Sequence, residues 1–143
     1  MTARYATIHD ATVRAAFDDY QRRRVDIHGD RVGFDPDAPA ADAEWVKHNV
    51  ARVAASLPNG YCGRPPQQDC PHPNACLTCP AFRTTRQFLP LHRRQRDDTL
   101  ELIGVAEQAG KTRVAANHQQ VADNLQRVIV ALETIEQEGT DAC

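Results

Sequence analysis

The amino-acid sequence predicts an all-α fold in which helices surround a small four-cysteine knuckle and the chain ends in an antiparallel helical hairpin. Three observations support this class. Apolar residues recur at helical spacing over long stretches, glycines and prolines separate those stretches, and four of the five cysteines fall within eighteen residues. The apolar content is mostly Ala, Val and Leu, and aromatic residues make up only 6% of the chain. A chain of 143 residues is long enough for one domain or two small ones.

Two amphipathic helices are predicted in the N-terminal half. Asp10 is a suitable N-cap for a first helix over residues 11–27, where apolar side chains share one face. Residues 29–41 contain two glycines and two prolines without periodicity, so we expect a linker there. A second helix is predicted from Asp42 to the stop at Pro58. Its apolar stripe consists of Val46, Val50, Val53, Ala54 and Leu57, flanked by Trp45.

The C-terminal part is the most regular. Pro90 suits the first position of a helix that should run to about Ala109, since proline has no N–H to leave unpaired there. Its inward positions are predicted to be Leu102, Ile103 and Ala106. The last helix, 112–137, has an apolar seam with gaps of four and three. The seam residues are Val114, His118, Val121, Leu125, Val128, Leu132 and Ile135. A short connection predicts a helical hairpin over 84–138, and we expect a disordered tail at 139–143.

The cysteine cluster predicts a metal site. Cys62, Cys70, Cys76 and Cys79 are separated by seven, five and two residues, and the final Cys-x-x-Cys allows two thiolates from one turn to reach the same ion. The segment is rich in proline and poor in apolar residues, so it needs another source of order. We expect a structural Zn²⁺ bound by four sulfurs, within a unit spanning 42–83. His72 is a candidate substitute ligand.

Three other interpretations of these cysteines remain open. An iron–sulfur cluster also uses four thiolates, although its usual runs have shorter gaps. Two disulfides would leave Cys143 unpaired, and no signal peptide precedes them, which favours a reducing cytoplasm. Unligated thiols are the third interpretation. No apolar run approaches the roughly 18–20 residues that span a membrane, so we expect a cytoplasmic protein without a membrane partner.

The charge pattern gives a weaker indication of a partner. The net charge is −2 and the sequence pI is about 6.3, so composition alone does not predict nucleic-acid binding. A local basic face can still coexist with this total. Arg93, Arg94 and Arg96 lie in the polar first half of the third predicted helix, and they are candidate DNA contacts.

Two stretches resemble a known family. The first ten residues, MTARYATIHD, are similar to the stretch that holds the nucleophilic tyrosine of tyrosine recombinases, of the integrase or transposase type found in actinobacterial mobile elements. That tyrosine maps onto Tyr5. The stretch from Asn59 to Phe82 resembles the cysteine-rich appendix that follows the tyrosine in one subgroup. The resemblance implies DNA integration and recombination, and it makes residues 1–28 the end of a catalytic domain.

The resemblance also implies a chemistry that this chain does not complete. A tyrosine hydroxyl attacks a DNA phosphodiester, and the reaction needs cationic groups around the phosphoryl oxygens and an acid for the leaving group. In the family these groups are chiefly two arginines, a lysine and histidines, and they precede the tyrosine in the sequence. In this chain only four residues precede Tyr5. We therefore expect a C-terminal fragment that does not cleave DNA alone. A methionine inside the family motif at position 1 suggests an internal start, a truncated element or a mispredicted gene.

The expected partners follow from this assignment. They are DNA in the context of a full-length recombinase, the catalytic domain or sister subunits, and a second copy through the 112–137 helix. The alternative function is an independent zinc-stabilised helical adaptor. Such an adaptor would act through protein contacts on the last helix or on the arginine face.

Overall fold

The computed structural model describes residues 2–33, 56–64, 69–71 and 75–141. Its helices are α1 (Thr2–Arg22), α2 (Leu89–Gln108) and α3 (Thr112–Asp141). Its strands are β1 (Ser56–Leu57), β2 (Gly60–Cys62) and β3 (Phe82–Arg83), and single 3-10 turns occupy Cys76–Thr78 and Arg86–Phe88. The chain is mainly helical, as predicted. Most of the helix predicted from Asp42, with Trp45, lies outside the described residues.

A small antiparallel sheet corrects the purely helical prediction. The strand order is β1-β2-β3, and Leu57, predicted to end a helix, instead pairs with Gly60. Cys62 then pairs with Phe82 across the second ladder. Gly60 is required at its position, because a Cβ there would lie 2.4 Å from the carbonyl oxygen of Arg83. Strands of two or three residues are too short to produce a visible alternation, so the sequence pattern did not predict them.

Helix α1 begins and ends earlier than predicted. It begins at Thr2, so Asp10 lies inside it and is not its N-cap, and it ends at Arg22. Val25 and Ile27, two residues apart, are both buried, which is the spacing of extended chain. Val25 forms bridges to Arg31 and to Thr84, and these tie the segment to the sheet region.

A tight turn follows this extended segment. The Asp26 carboxylate accepts hydrogen bonds from the backbone N–H groups of His28 and Asp30, at 2.8 and 3.0 Å. Gly29 has a φ of 83°, a conformation that disfavours a side chain. A Cβ at Gly29 would also lie 2.8 Å from the backbone oxygen of Arg127. Glycine therefore allows the turn to pack directly against α3.

The main core lies where α3 meets the extended segment, the sheet and the start of α2. Its fully buried members come from each of these four elements, so α3 is the common support. They are Val25, Ile27, Phe82, Leu89, Val128, Ile129 and Leu132.

Ion pairs also connect α3 to other parts of the chain. Three arginines outside α3 pair with glutamates on it. The pairs are Arg31 with Glu138, Arg86 with Glu136 and Arg93 with Glu133. These pairs are exposed, so each contributes at most about 1 kcal/mol.

Helices α2 and α3 contact one another. Residues 109–111 join them, and Gly110 has a φ of 69°. A second cluster consists of Ile103, Ala106, Ala115 and Ala122. Two predicted inward positions are wrong, because Leu102 is 43% exposed and Val114 is 41% exposed. The inward face of α2 instead continues from Ile103 to Thr99 and His92, both of which are buried. Among the described residues, no helix is long and apolar enough to cross a membrane.

Candidate metal centre

Three of the four clustered cysteines lie on a sheet strand and at a neighbouring turn, Cys70 lies in the irregular stretch between them, and none of the four forms a disulfide. Cys62 ends β2, Cys76 begins the 3-10 turn, and Cys79 directly follows it. These three are half-buried, whereas Cys70 is exposed. His72, the predicted substitute ligand, lies outside the described residues.

The sheet register ties Cys62 to the Cys-x-x-Cys turn. Within the turn, the backbone N–H of Cys79 donates to the oxygen of Cys76 at 3.1 Å. The N–H of Phe82 donates to the oxygen of Cys79 at 3.0 Å, and Phe82 is the residue that pairs with Cys62. One further bond, from Gly63 N–H to the Ala81 oxygen at 2.7 Å, extends this ladder. The main chain therefore holds one cysteine of the strand beside the turn that carries two more.

The thiols influence one another electrostatically. Burial raises the pKa of Cys76, and the neighbouring thiols of Cys62, Cys79 and Cys70 raise that pKa further. Four sulfurs are a donor set that fits tetrahedral zinc. Within the described parts of the chain, however, no three His, Cys, Asp or Glu side chains are already placed to hold one ion. The donor chemistry thus fits zinc, while the side chains would still have to converge on it.

The turn is supported from α3 by a residue that the sequence did not indicate. Asn124 is only 4% exposed, and its Nδ2 donates a hydrogen bond to the backbone oxygen of Leu77 at 2.9 Å. Leu77 lies between Cys76 and Cys79, and it packs with Cys76 against the main core. Asn124 falls between the seam positions 121 and 125, so periodicity alone assigned it no role.

The predicted position of His92 is wrong. It was expected in the polar, solvent-facing first half of α2. It is fully buried beside Phe82, with ring centroids 6.2 Å apart. The hydroxyl of Thr84 donates to the backbone oxygen of Asn59 at 2.9 Å, so it must accept from His92 Nε2 at 2.8 Å. Burial lowers the pKa of His92 to about 4. His92 is therefore a neutral side chain that fastens α2 to the strand after the cysteines.

The arginine face of α2 is already matched with carboxylates. Arg93 contacts Glu133 at 2.6 Å, and Arg96 contacts Asp97 at 2.7 Å. Arg94 is the most exposed of the three arginines, with Asp98 at 4.0 Å. This compensation reduces the local positive potential that a phosphate backbone would meet. The assignment of these arginines as DNA contacts stays a prediction.

Tyr5 lies within α1, and its side chain is outside what the structure describes. The described anchors of α1 are near its C-terminal end, where Phe17 and Gln21 are buried. Most side chains from residue 11 to residue 16 are exposed.

The sequence is similar to part of the sequence of bacterial transposases. It is 39% identical over 135 residues to transposase B from transposon PsiTn554 of Staphylococcus aureus. The same identity is found with transposase B from transposon Tn554 of S. aureus strains Mu50 and N315. Each alignment covers 92% of this chain and 21% of the relative, so the chain spans about a fifth of the length of the curated relatives it matches. No protein-family model matches the chain, and no solved structure matches it significantly.

Proposed function

We propose that the chain serves DNA recombination of the transposition type, as a zinc-stabilised helical part of a tyrosine recombinase. The observation that carries this proposal is the 39% identity to transposase B over 92% of the chain. The resemblance of the stretch around Tyr5 supports the tyrosine-recombinase type. Because the chain spans only a fifth of its relatives, strand transfer and DNA recognition are assigned to a longer protein to which such a segment belongs.

In this proposal Tyr5 supplies the nucleophile, and other sequence supplies the groups that activate it. A tyrosine phenol has a pKa near 10, so it is almost wholly protonated at neutral pH without cationic neighbours. The attack also needs preorganised positive charge around the phosphoryl oxygens. The resemblance places those groups ahead of Tyr5, so the 143-residue polypeptide by itself forms no phosphotyrosine link.

The cysteine segment, defined as residues 58–82, is proposed to hold one Zn²⁺ through Cys62, Cys70, Cys76 and Cys79. The sheet register and the short Cys76–Cys79 turn support this assignment, because they bring the main chain of Cys62 beside the turn that carries the other two cysteines. Four thiolates leave no coordination position for water or substrate, so the role is structural. Bound zinc would neutralise and draw together thiols that otherwise repel one another as thiolates. An iron–sulfur cluster is the alternative occupant.

Helices α2 and α3 are proposed to form the predicted antiparallel hairpin. Two cross-helix contacts support this, since Arg93 meets Glu133 whereas Arg96, further along α2, meets the earlier residue Gln126. The most buried seam residues of α3, Leu125, Val128 and Leu132, are covered by other parts of the same chain. An adaptor or a homo-oligomer built on α3 would therefore use exposed residues such as Val130 rather than the seam.

A chimeric transposase tests the recombination role. The aligned segment of transposase B from Tn554 is replaced by this chain, and transposition frequency is measured in cells. We expect the chimera to transpose, and we expect Cys76→Ser to reduce its frequency at least about tenfold through loss of the metal. Cys143→Ser is the matched control and should leave the frequency unchanged. A chimera that accumulates normally but never transposes would contradict the assignment.

DNA binding by the isolated chain provides a second test. The net charge of −2 and the paired arginines favour only weak, sequence-independent binding, with a Kd no tighter than about 10⁻⁵ M near physiological salt. Fluorescence anisotropy with labelled duplexes measures this constant, and denaturing gels with nicked substrates detect covalent adducts. Sub-micromolar affinity for one sequence, or an adduct lost in Tyr5→Phe, would assign recognition or chemistry to the chain itself.

A further inference from the structure

Asn124 joins helix α3 to the middle of the Cys-x-x-Cys turn. Its Nδ2 donates to the backbone oxygen of Leu77 at 2.9 Å, and its Oδ1 accepts from Arg127 Nη1 at 3.0 Å. Both ends of the amide are therefore used, which fixes its orientation. The side chain is 4% exposed, so water cannot readily replace either bond.

The Leu77 carbonyl is a sensitive place for such a bond. Leu77 and Thr78 are the two residues between Cys76 and Cys79, so the tilt of this peptide helps to set where the two sulfurs point. The other polar bonds of the turn are local. The N–H of Cys79 donates to the Cys76 oxygen, and both the N–H and the hydroxyl of Thr78 donate to the Ala75 oxygen. Among the described hydrogen bonds of the turn, the bond donated by Asn124 links the turn to an element that is distant in sequence.

We infer that Asn124 is a positioning residue that orients the Cys76–Cys79 turn for metal binding and couples occupancy of the cysteine site to α3. The inference rests on the proposed zinc site. The Leu77 bond holds the turn near its bound shape before the metal arrives, so less ordering remains to be done on binding. Because coupling is reciprocal, zinc in turn strengthens the packing of the turn on α3.

Two substitutions remove the donor in different ways. Asn124→Leu keeps the number and branching of the side-chain heavy atoms but has no hydrogen-bonding group, and Asn124→Asp has the same shape but a carboxylate that cannot donate. Asp123→Ala is the matched control, because Asp123 is the exposed neighbour on the same helix and contacts only Gln119 among the hydrogen bonds described here. Zinc affinity is measured by competition with a chromophoric chelator, and α-helix content by circular dichroism.

We expect both Asn124 variants to bind zinc about tenfold more weakly, at the lower end of effects seen for groups that support metal ligands. Metal-free helix content should stay at the wild-type value, since α3 is held mainly by its apolar contacts. Asp123→Ala should match the wild type in both measurements. A zinc affinity of Asn124→Leu within about twofold of the wild type would overturn the inference.

A metal-free measurement separates this inference from the zinc assignment. If elemental analysis finds no metal in the wild-type chain, the zinc assignment fails, and the position of the turn is then judged by alkylation with iodoacetamide under a chelator. Faster alkylation of Cys76 and Cys79 in Asn124→Leu than in the wild type and Asp123→Ala would support the positioning role. Equal rates in all three proteins would overturn it.

Discussion

Two regions of the molecule are ordered by different means. One is the region around α3, and the other is the cysteine segment. Leu125, Val128 and Leu132 on α3 are completely buried, and they recur at the spacing that a helix needs to pack on its neighbours. The cysteine segment contributes few large apolar side chains, chiefly Phe82 and the half-buried Leu77. Its order comes from short ladders, one buried amide and, in our proposal, a metal ion.

This difference indicates how stability is distributed. Ordering each residue costs roughly 1–2 kcal/mol of backbone entropy, which must be offset by burial or by ligands. The region around α3 offsets this cost with apolar burial, so it should persist without metal. The cysteine segment lacks that source, so it should respond to metal and to the residues that anchor it.

The largest effect is expected in the core of α3. Leu125→Ala removes a completely buried side chain, and we expect the free energy of unfolding to fall by about 3 kcal/mol, within the range for buried leucine. Val130→Ala, at a position that is 50% exposed, is the control and should cost less than about 0.5 kcal/mol. Urea unfolding followed by circular dichroism measures both. Similar losses in the two variants would show that α3 does not organise the core.

His92 sharpens the comparison through pH, because it fastens α2 to the strand after the cysteines. Its folded-state pKa of about 4 lies below the ordinary 6.5, so the unfolded chain takes up the proton first as the pH falls. Stability is fully present above about pH 6.5 and is lost progressively down to about pH 4, by about 3 kcal/mol in total.

The test compares the wild type with His92→Gln, which cannot titrate, and with His28→Gln at an exposed turn position. The free energy of unfolding is measured by urea titration at several pH values between 7 and 4. We expect the steep acid loss in the wild type and in His28→Gln, and a shallower one in His92→Gln. An unchanged slope in His92→Gln would assign the acid sensitivity to other groups.

Substitution of two glycines by alanine should give the smallest of these effects. The change in the free energy of unfolding should have opposite signs in the two regions. Gly60→Ala places a Cβ 2.4 Å from the Arg83 oxygen, so the sheet must shift, at a cost of about 1–3 kcal/mol. Gly104 lies in α2 with nothing within 4 Å of a Cβ, so Gly104→Ala should stabilise by up to about 1 kcal/mol. Thermal unfolding resolves both shifts. Stabilisation by both alanines would mean that the β2–β3 contact is looser than described.

The sequence predicted the elements whose pattern extends over many residues. Helices α2 and α3 begin close to Pro90 and residue 112 as predicted, because their periodicity continues for several turns. The end of α1 was misplaced because Ile27 fits a helical spacing as well as a two-residue one. The bridge between Val25 and Thr84, which are distant in sequence, decides between these spacings. Tertiary pairing of this kind leaves no local signal.

The candidate site shows the same limit. Cysteine spacing indicated the thiols, because ligands of one ion often lie only a few residues apart in the sequence. Asn124 and His92 could not be recognised, because each acts on a group outside its own helix, the Leu77 oxygen for Asn124 and the Thr84 hydroxyl for His92. Their burial was the missing information. For His92 a faint signal exists, since positions 92, 99, 103 and 106 continue one face of α2 through its polar half.

Zinc content together with local protection tests the central claim most directly. The chain, purified under reducing conditions, is analysed for metal and then for hydrogen exchange by mass spectrometry with and without a chelator. We expect one Zn²⁺ per chain, lost in Cys76→Ser, and faster exchange over residues 58–82 after chelation while residues 112–137 keep their protection. Bound iron with visible absorbance, or exchange over residues 58–82 that is unaffected by metal removal, would contradict the account.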